Sequence, residues 1–395
     1  MHEASLRDAW TLDPAVTFLN HGSYGACPRA VLASQDVWRQ RMEAEPVEFL
    51  GRRLPDLVDS ALERLAGFLR VDAQDLAFVP NATSGVNTVL RSLRFGPGDE
   101  LITTNHAYNA CRNALEFVAT RWGATVVCAD VPFPVSGPQD VVEAVLSRVT
   151  TRTRLALIDH VTSPTALIFP VEAIVAALRE RGVETLIDGA HAPGMVPLDI
   201  PSIGAGYYTG NGHKWLCGPK GSAFLWVRRD LQDDVRPLTI SHGANTPRPD
   251  RSRFQAEFAW QGTQDPSSYL ALPDAVDVMG SLLPGGWPEL MRSNHEKSLE
   301  GASVLREALG IRESAPESML GSMVALPLPD ATGEDDSLNA RLFERYRIEV
   351  PVMPFPAWPK RLIRISAQAY NQPSDYVRLA EALTAEGFGD RPNTD

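Results

Sequence analysis

The chain has no apolar run of about 18 residues, the length a membrane-spanning helix requires, so no such helix is expected. Its first ten residues, MHEASLRDAW, lack the basic start and apolar stretch of a secretory signal. Cysteine is scarce: Cys27, Cys111, Cys128 and Cys217 are widely spaced and form no CxxC pair. That usage reads as a reduced, cytoplasmic protein with free thiols. HExxH and Cys/His ligand spacings are missing, so no metal site is expected. Neither GxGxxG nor GxxxxGK[ST] occurs, which disfavours a nicotinamide-dependent dehydrogenase and a P-loop. Positive charge is in deficit: 37 Lys and Arg stand against 49 Asp and Glu, a net charge of −12. Such a balance does not suit nucleic acid as a partner.

What is present is a long chain with a regular alternation. Its 395 residues, 44% hydrophobic and 22% charged, can bury a sizeable core and suggest two domains. Leu155–Asp159 (LALID) is a short apolar run. Val171–Arg181 then places Val171, Ile174, Val175 and Leu178 on one helical face. Glu184–Ile187 is the next strand, ending at Asp188. Strand, amphipathic helix and strand form a βαβ unit and imply a parallel sheet. Leu76–Val79, Leu101–Thr104 and Ser222–Val227 read as further strands, and Asp56–Arg70 as a helix. After Val227 the texture changes, and Thr246–Arg253 (TPRPDRSR) reads as a mobile loop. The last third mixes strands (Met323–Leu328, Ile348–Met353, Leu362–Ser366) with helices such as Tyr376–Glu386. The expected fold is therefore α/β. A large domain with a mainly parallel central sheet spans residues 20–265. A smaller α+β C-terminal domain, 266–395, packs with the N-terminal segment 1–19.

In open α/β sheets, ligands bind beyond the carboxyl ends of the strands. Polar clusters fall at such places: His160–Thr165 (HVTSPT), Asp188–His191 (DGAH) and Asn81–Asn87 (NATSGVN) at a helix start. The last suits an anion held by backbone N–H groups and hydroxyls. Gly210-Asn-Gly-His-Lys-Trp215 sets Lys214 just before an apolar stretch, where burial lowers a lysine's pKa and makes it a nucleophilic amine. Pyridoxal 5′-phosphate needs such an amine, an acid facing its ring nitrogen, an anion cradle and an aromatic ring over its own. Lys214, Asp188, Thr83 with Ser84, and Tyr108 or His106 fill those roles in chain order.

The pairing of DGAH with GHKW some two dozen residues later resembles the class V aminotransferase group of fold-type I pyridoxal-phosphate enzymes, and in particular its isopenicillin N epimerase-like branch. Asn20-His-Gly-Ser-Tyr-Gly25, Glu45–Phe49, Ser163-Pro-Thr165, Val183–Pro197 and Trp260-Gln-Gly-Thr263 carry the same likeness. The resemblance implies Lys214 as the Schiff-base lysine and Asp188 as partner of the pyridinium nitrogen. It sets His191 and Ser163 near the ring hydroxyl, Tyr108 over the ring, and Thr83, the Ser84 backbone, Asn211 and His213 around the phosphate. Gly262 and Thr263 are implied to reach the phosphate of a partner subunit, hence a homodimer with shared active sites. Arg364 is implied to grip a substrate carboxylate, with His21 and Ser23 beside the substrate. Two positions depart from the group: Asn211 stands where Ser is usual, and Ala166 replaces a Gly after Ser-Pro-Thr, which is expected to narrow the pocket.

The expected chemistry lies at the α-carbon of an amino-acid substrate. Epimerisation or racemisation is the first reading, with Tyr108 or His21 as the second proton donor. C–S cleavage, another elimination or cyclisation, and transamination are the alternatives. A desulfurase needs a reactive cysteine late in the chain, and none follows Cys217. A non-catalytic binding protein on this fold is disfavoured by the intact Lys214.

Overall fold

The structure, a computed structural model of the chain, describes residues 6–245, 250–333 and 336–389. Residues 246–249, part of the expected loop, lie outside the described residues.

The strands in chain order are β1 (Thr17–Phe18), β2 (Leu76–Val79), β3 (Glu100–Thr104), β4 (Thr125–Ala129), β5 (Thr153–Asp159) and β6 (Glu184–Asp188). They continue with β7 (Tyr207–Asn211), β8 (Ala223–Val227), β9 (Met323–Leu328), β10 (Ile348–Glu349), β11 (Val352–Pro354) and β12 (Arg361–Ser366). Six helices matter here: α1 (Leu54–Leu69), α2 (Ala82–Ser92), α3 (Asn109–Trp122), α4 (Val171–Arg179), α5 (Gly286–Leu309) and α6 (Pro373–Leu383).

A seven-stranded sheet runs in the order β2-β8-β7-β6-β5-β3-β4. All its neighbours are parallel except β8, which is antiparallel to both β2 and β7. Helices on both faces explain why β2 and β8 read as continuous apolar runs rather than alternating ones. On α4 the expected stripe of Val171, Ile174, Val175 and Leu178 is buried. On α1 Val58, Leu62, Leu65 and Leu69 are likewise buried.

A second, three-stranded antiparallel sheet, β11-β12-β9, lies in the C-terminal third, beside α5 and α6. The single strand expected over Ile348–Met353 is two. β10 pairs in parallel with β1, and β11 pairs with β12. Pro351, which has no N–H to donate, stands at the break, and its carbonyl accepts from Arg364 N. The β1–β10 ladder ties the N-terminal segment to the C-terminal part.

Candidate active site

The carboxyl ends of β5, β6 and β7 and the start of α2 open onto one cavity of about 510 Å³. Its wall includes Ser23, Tyr24, Thr83, Ser84, Tyr108, Asp159, Ser163, Asp188, His191, Asn211, His213 and Lys214.

The anion end is built at the α2 N-terminus. Asn81 caps the helix, its Oδ1 accepting from Ser84 N at 2.8 Å. Asn211 Oδ1 accepts from Ala82 N at 2.8 Å. The Ser84 N–H expected for phosphate is therefore committed to the cap, and the donors facing the cavity are the hydroxyls of Thr83 and Ser84 and the Asn211 amide. Asparagine at 211 tethers the first turn through Oδ1 and still presents Nδ2 as a donor. His213 donates from Nδ1 to the Ser222 carbonyl at 3.3 Å. Burial, then Lys214, lower it to about 4, so its bare Nε2 becomes a donor only once an anion supplies the compensating charge.

The amine end is Lys214. Trp215 Nε1–H donates to His191 Nδ1 at 3.4 Å, which leaves the imidazole proton on Nε2. That nitrogen lies 3.0 Å from Lys214 Nζ and donates to the amine in its neutral form. The electrostatics agree: burial first, then the Arg364 cation, lower Lys214 to about 7, against the pull of Asp188. Asp188 is buried and accepts from Cys111 Sγ and Ala190 N, each at 3.0 Å. Tyr108 stands at the mouth of the cavity, 44% exposed, just ahead of α3.

Three expectations change. His21 does not line the cavity: it is fully buried, with Nδ1 2.8 Å from the Tyr370 hydroxyl and Nε2 3.0 Å from the Lys214 carbonyl. Both ring nitrogens are spent, so it is no proton donor to substrate. His106 is also withdrawn, bonded to Thr165 Oγ1 at 2.6 Å and the Val131 carbonyl at 3.0 Å, so of the two aromatics expected over the ring only Tyr108 lines the cavity. Ala166 does not narrow the pocket. It is buried away from it with a φ of 57°, so its cost over glycine is left-handed backbone strain.

Arg364 lies one layer behind the wall. It is 2% exposed, and its Nη1 donates to the Ser163 carbonyl and Oγ while Nη2 donates to Ser23 Oγ at 3.3 Å. Its Nε has no partner, and burial lowers it to about 10. Ser163 is thus held by Arg364. Gly262 and Thr263 stand apart: Gly262 lines a separate cavity with Phe258 and Trp260, and Thr263 is exposed. Asp159 and Tyr24 were missed. Asp159 ends LALID as Asp188 ends ETLI, the same strand-end signal, and Tyr24 belongs to NHGSYG.

A buried amine of lowered pKa, a buried acid, hydroxyl and amide donors at a helix start, and a phenol at the mouth fit pyridoxal phosphate. Among the described residues no group of three or more His, Cys, Asp or Glu is placed to hold a metal ion.

The class-V aminotransferase family model matches residues 25–350. The chain is 38% identical to the isopenicillin N epimerase of Amycolatopsis lactamdurans, over 96% of this chain and 97% of that protein. It is 31% identical to a probable chloroplastic L-cysteine desulfhydrase of Arabidopsis thaliana, over 95% of this chain and 84% of that protein. The cystine C–S lyase C-DES, solved with its product cysteine persulfide, superposes with a TM-score of 0.80 at 22% identity, over 93% of this chain and 97% of that one.

Proposed function

This chain belongs to the class-V aminotransferase family of pyridoxal-phosphate enzymes, and from that premise we propose that it inverts the α-carbon of an amino-acid substrate, as an isopenicillin N epimerase-like enzyme. The observation that carries the proposal is the buried Lys214 amine, 3.0 Å from His191 Nε2, in the same cavity as Asp188.

Pyridoxal phosphate, when bound, supplies an electron sink that acidifies the α-hydrogen of an amino acid. Thr83, Ser84, Asn211 and His213 hold its phosphate, and Asp188 holds the proton on its ring nitrogen. Lys214 Nζ would take the α-hydrogen from its own face of the site. Inversion needs a proton from the other face, and with His21 spent on the Lys214 carbonyl the Tyr108 hydroxyl is the donor we assign. Arg364 receives the substrate carboxylate, exchanging its serine contacts for a two-pronged bond.

The desulfhydrase relative supports a second reading, loss of a β-sulfur leaving group after the same α-deprotonation. An amino-acid panel in deuterated water separates them. Epimerisation puts deuterium at the α-carbon of both stereoisomers and releases neither keto acid nor sulfide. Sulfide with pyruvate replaces the first reading by the second, and keto acid alone replaces both by transamination.

We assign residues 20–265 to a cofactor domain and 266–395, with 1–19, to a smaller one; the β1–β10 ladder supports that grouping. A homodimer is supported by Thr263, which is exposed and does not line its own chain's Lys214 cavity. A cytoplasmic setting is supported by four free cysteines. Among the described residues no helix is long and apolar enough to cross a membrane.

A further inference from the structure

The last residues of β5 and β6, Asp159 and Asp188, are paired in register on adjacent parallel strands. Both residues line the Lys214 cavity, and each is 3% exposed. Two carboxylates so placed repel each other strongly if both are charged, and the usual outcome is that one keeps its proton.

Their surroundings decide which one. Asp188 is solvated by the protein on both oxygens, with Ala190 N on Oδ1 and Cys111 Sγ on Oδ2. Such donors favour the charged form. Asp159 has a single donor, the Tyr108 N–H, 3.2 Å from Oδ2. Its Oδ1 is buried with no hydrogen-bond partner among the described residues. A bare anionic oxygen in that position is unfavourable, whereas a protonated one is a donor awaiting an acceptor.

We propose that Asp159 is a neutral carboxylic acid and a positioning residue of this site: Oδ2 seats the Tyr108 main chain, Oδ1–H donates to whatever fills the cavity, and the single negative charge of the pair stays on Asp188. The charges that face it agree. Burial, followed by Asp188, pushes Asp159 well above the usual carboxylate range, with only the Tyr108 N–H and the Lys214 amine opposing. The nearby Cys111 thiol is held neutral by burial and by Asp188, so it adds no third charge. Tyr108 gains its place by the same contact, because its N–H lies at the start of α3, where no earlier turn can accept from it. The acceptor's identity rests on the pyridoxal-phosphate reading; the proton on Asp159 does not.

The test has two arms. Infrared difference spectra of the apoprotein at neutral pH, wild type minus Asp159→Asn, should show the carbonyl stretch of one protonated carboxyl that shifts in D2O. In the second arm, cofactor affinity is measured by equilibrium titration of each apoprotein with pyridoxal phosphate. Asp159→Asn keeps a neutral donor and acceptor and should stay within about threefold of wild type, while Asp159→Ala and Asp188→Asn each weaken binding at least about tenfold. No protonated-carboxyl band in the wild type overturns the proposal. So does an Asp159→Asn loss as large as that of Asp188→Asn, which would mean that the charge resides on Asp159. A band with no cofactor uptake by the wild type supports the proton on Asp159 and overturns the cofactor reading instead.

Discussion

His21 donates its Nε2 proton to the carbonyl of Lys214, 3.0 Å away, and accepts the Tyr370 hydroxyl at Nδ1, 2.8 Å away. The residue that bears the reactive amine is thereby hung from the N-terminal segment and, through Tyr370, from the C-terminal part. The His21 ring also packs against Trp215, with centroids 4.8 Å apart. His21→Ala strands two buried polar groups and should cost at least about 2 kcal/mol, with Tyr370→Phe costing about half as much. Urea unfolding of the apoproteins measures both. The pH dependence carries a sign. Burial lowers folded His21 from 6.5 to about 3, so the unfolded chain binds the proton first. Its contribution is complete above pH 6.5 and is lost as pH falls towards 3. His21→Ala should flatten that slope; unchanged stability and slope would remove the tether.

Lys214 should be replaceable without unfolding the protein. Lys214→Ala is expected to abolish the visible band of the lysine-bound cofactor, borohydride trapping and turnover, while circular dichroism stays as in the wild type. In the wild type, the amine attacks only when neutral. With Lys214 lowered to about 7, covalent capture of pyridoxal phosphate by the apoprotein should speed up as pH rises through about 7 and then level off. A rate still climbing as steeply at pH values well above this would mean an ordinary, solvated lysine.

The shared site makes a further prediction. Thr263 is exposed and Gly262 borders another cavity, so neither contributes to its own chain's Lys214 cavity. Co-expressing Lys214→Ala chains with Thr263→Trp chains should restore activity to a fraction of the mixed dimers, since one of their two sites then holds both native residues. Sedimentation of a fully active monomer at micromolar concentration would refute the dimer.

The parallel sheet was legible because β5 and β6 are buried on both faces and separated by an amphipathic helix. The site was legible where a polar residue ends an apolar run, as Asp188 and the Asn81 cap do. Asp159 obeys the same rule, but LALID and its polar end look like any strand until the register with Asp188 is known. β4 escaped notice because it is an edge strand with partly exposed residues at its start. His21 shows the converse failure. Its motif marks a residue near the site, but only the fold shows that its contact is to the backbone carbonyl of Lys214 and not to the cavity.

Arg364 tests the substrate class, because groups that bind the cofactor cannot distinguish an amino acid from a bare amine. Its guanidinium is buried at the middle of β12; it rests on Ser163 and Ser23, and among the described residues no carboxylate pairs with it and Nε has no partner. An uncompensated buried cation is costly to stability, and its persistence here fits a place reserved for an anion. The planar fork matches a carboxylate in two contacts, which a lysine's point charge does not. Arg364→Lys should therefore raise KM for the α-amino-acid substrate at least about tenfold, near 1.4 kcal/mol. Cofactor affinity and the visible spectrum should stay close to wild type, since Arg364 lies behind the wall and not in the phosphate cradle. Steady-state kinetics beside a cofactor titration separates the two effects. An unchanged KM, or loss of cofactor in place of a KM effect, would mean that Arg364 only braces Ser23 and Ser163, and the amino-acid carboxylate would need another partner.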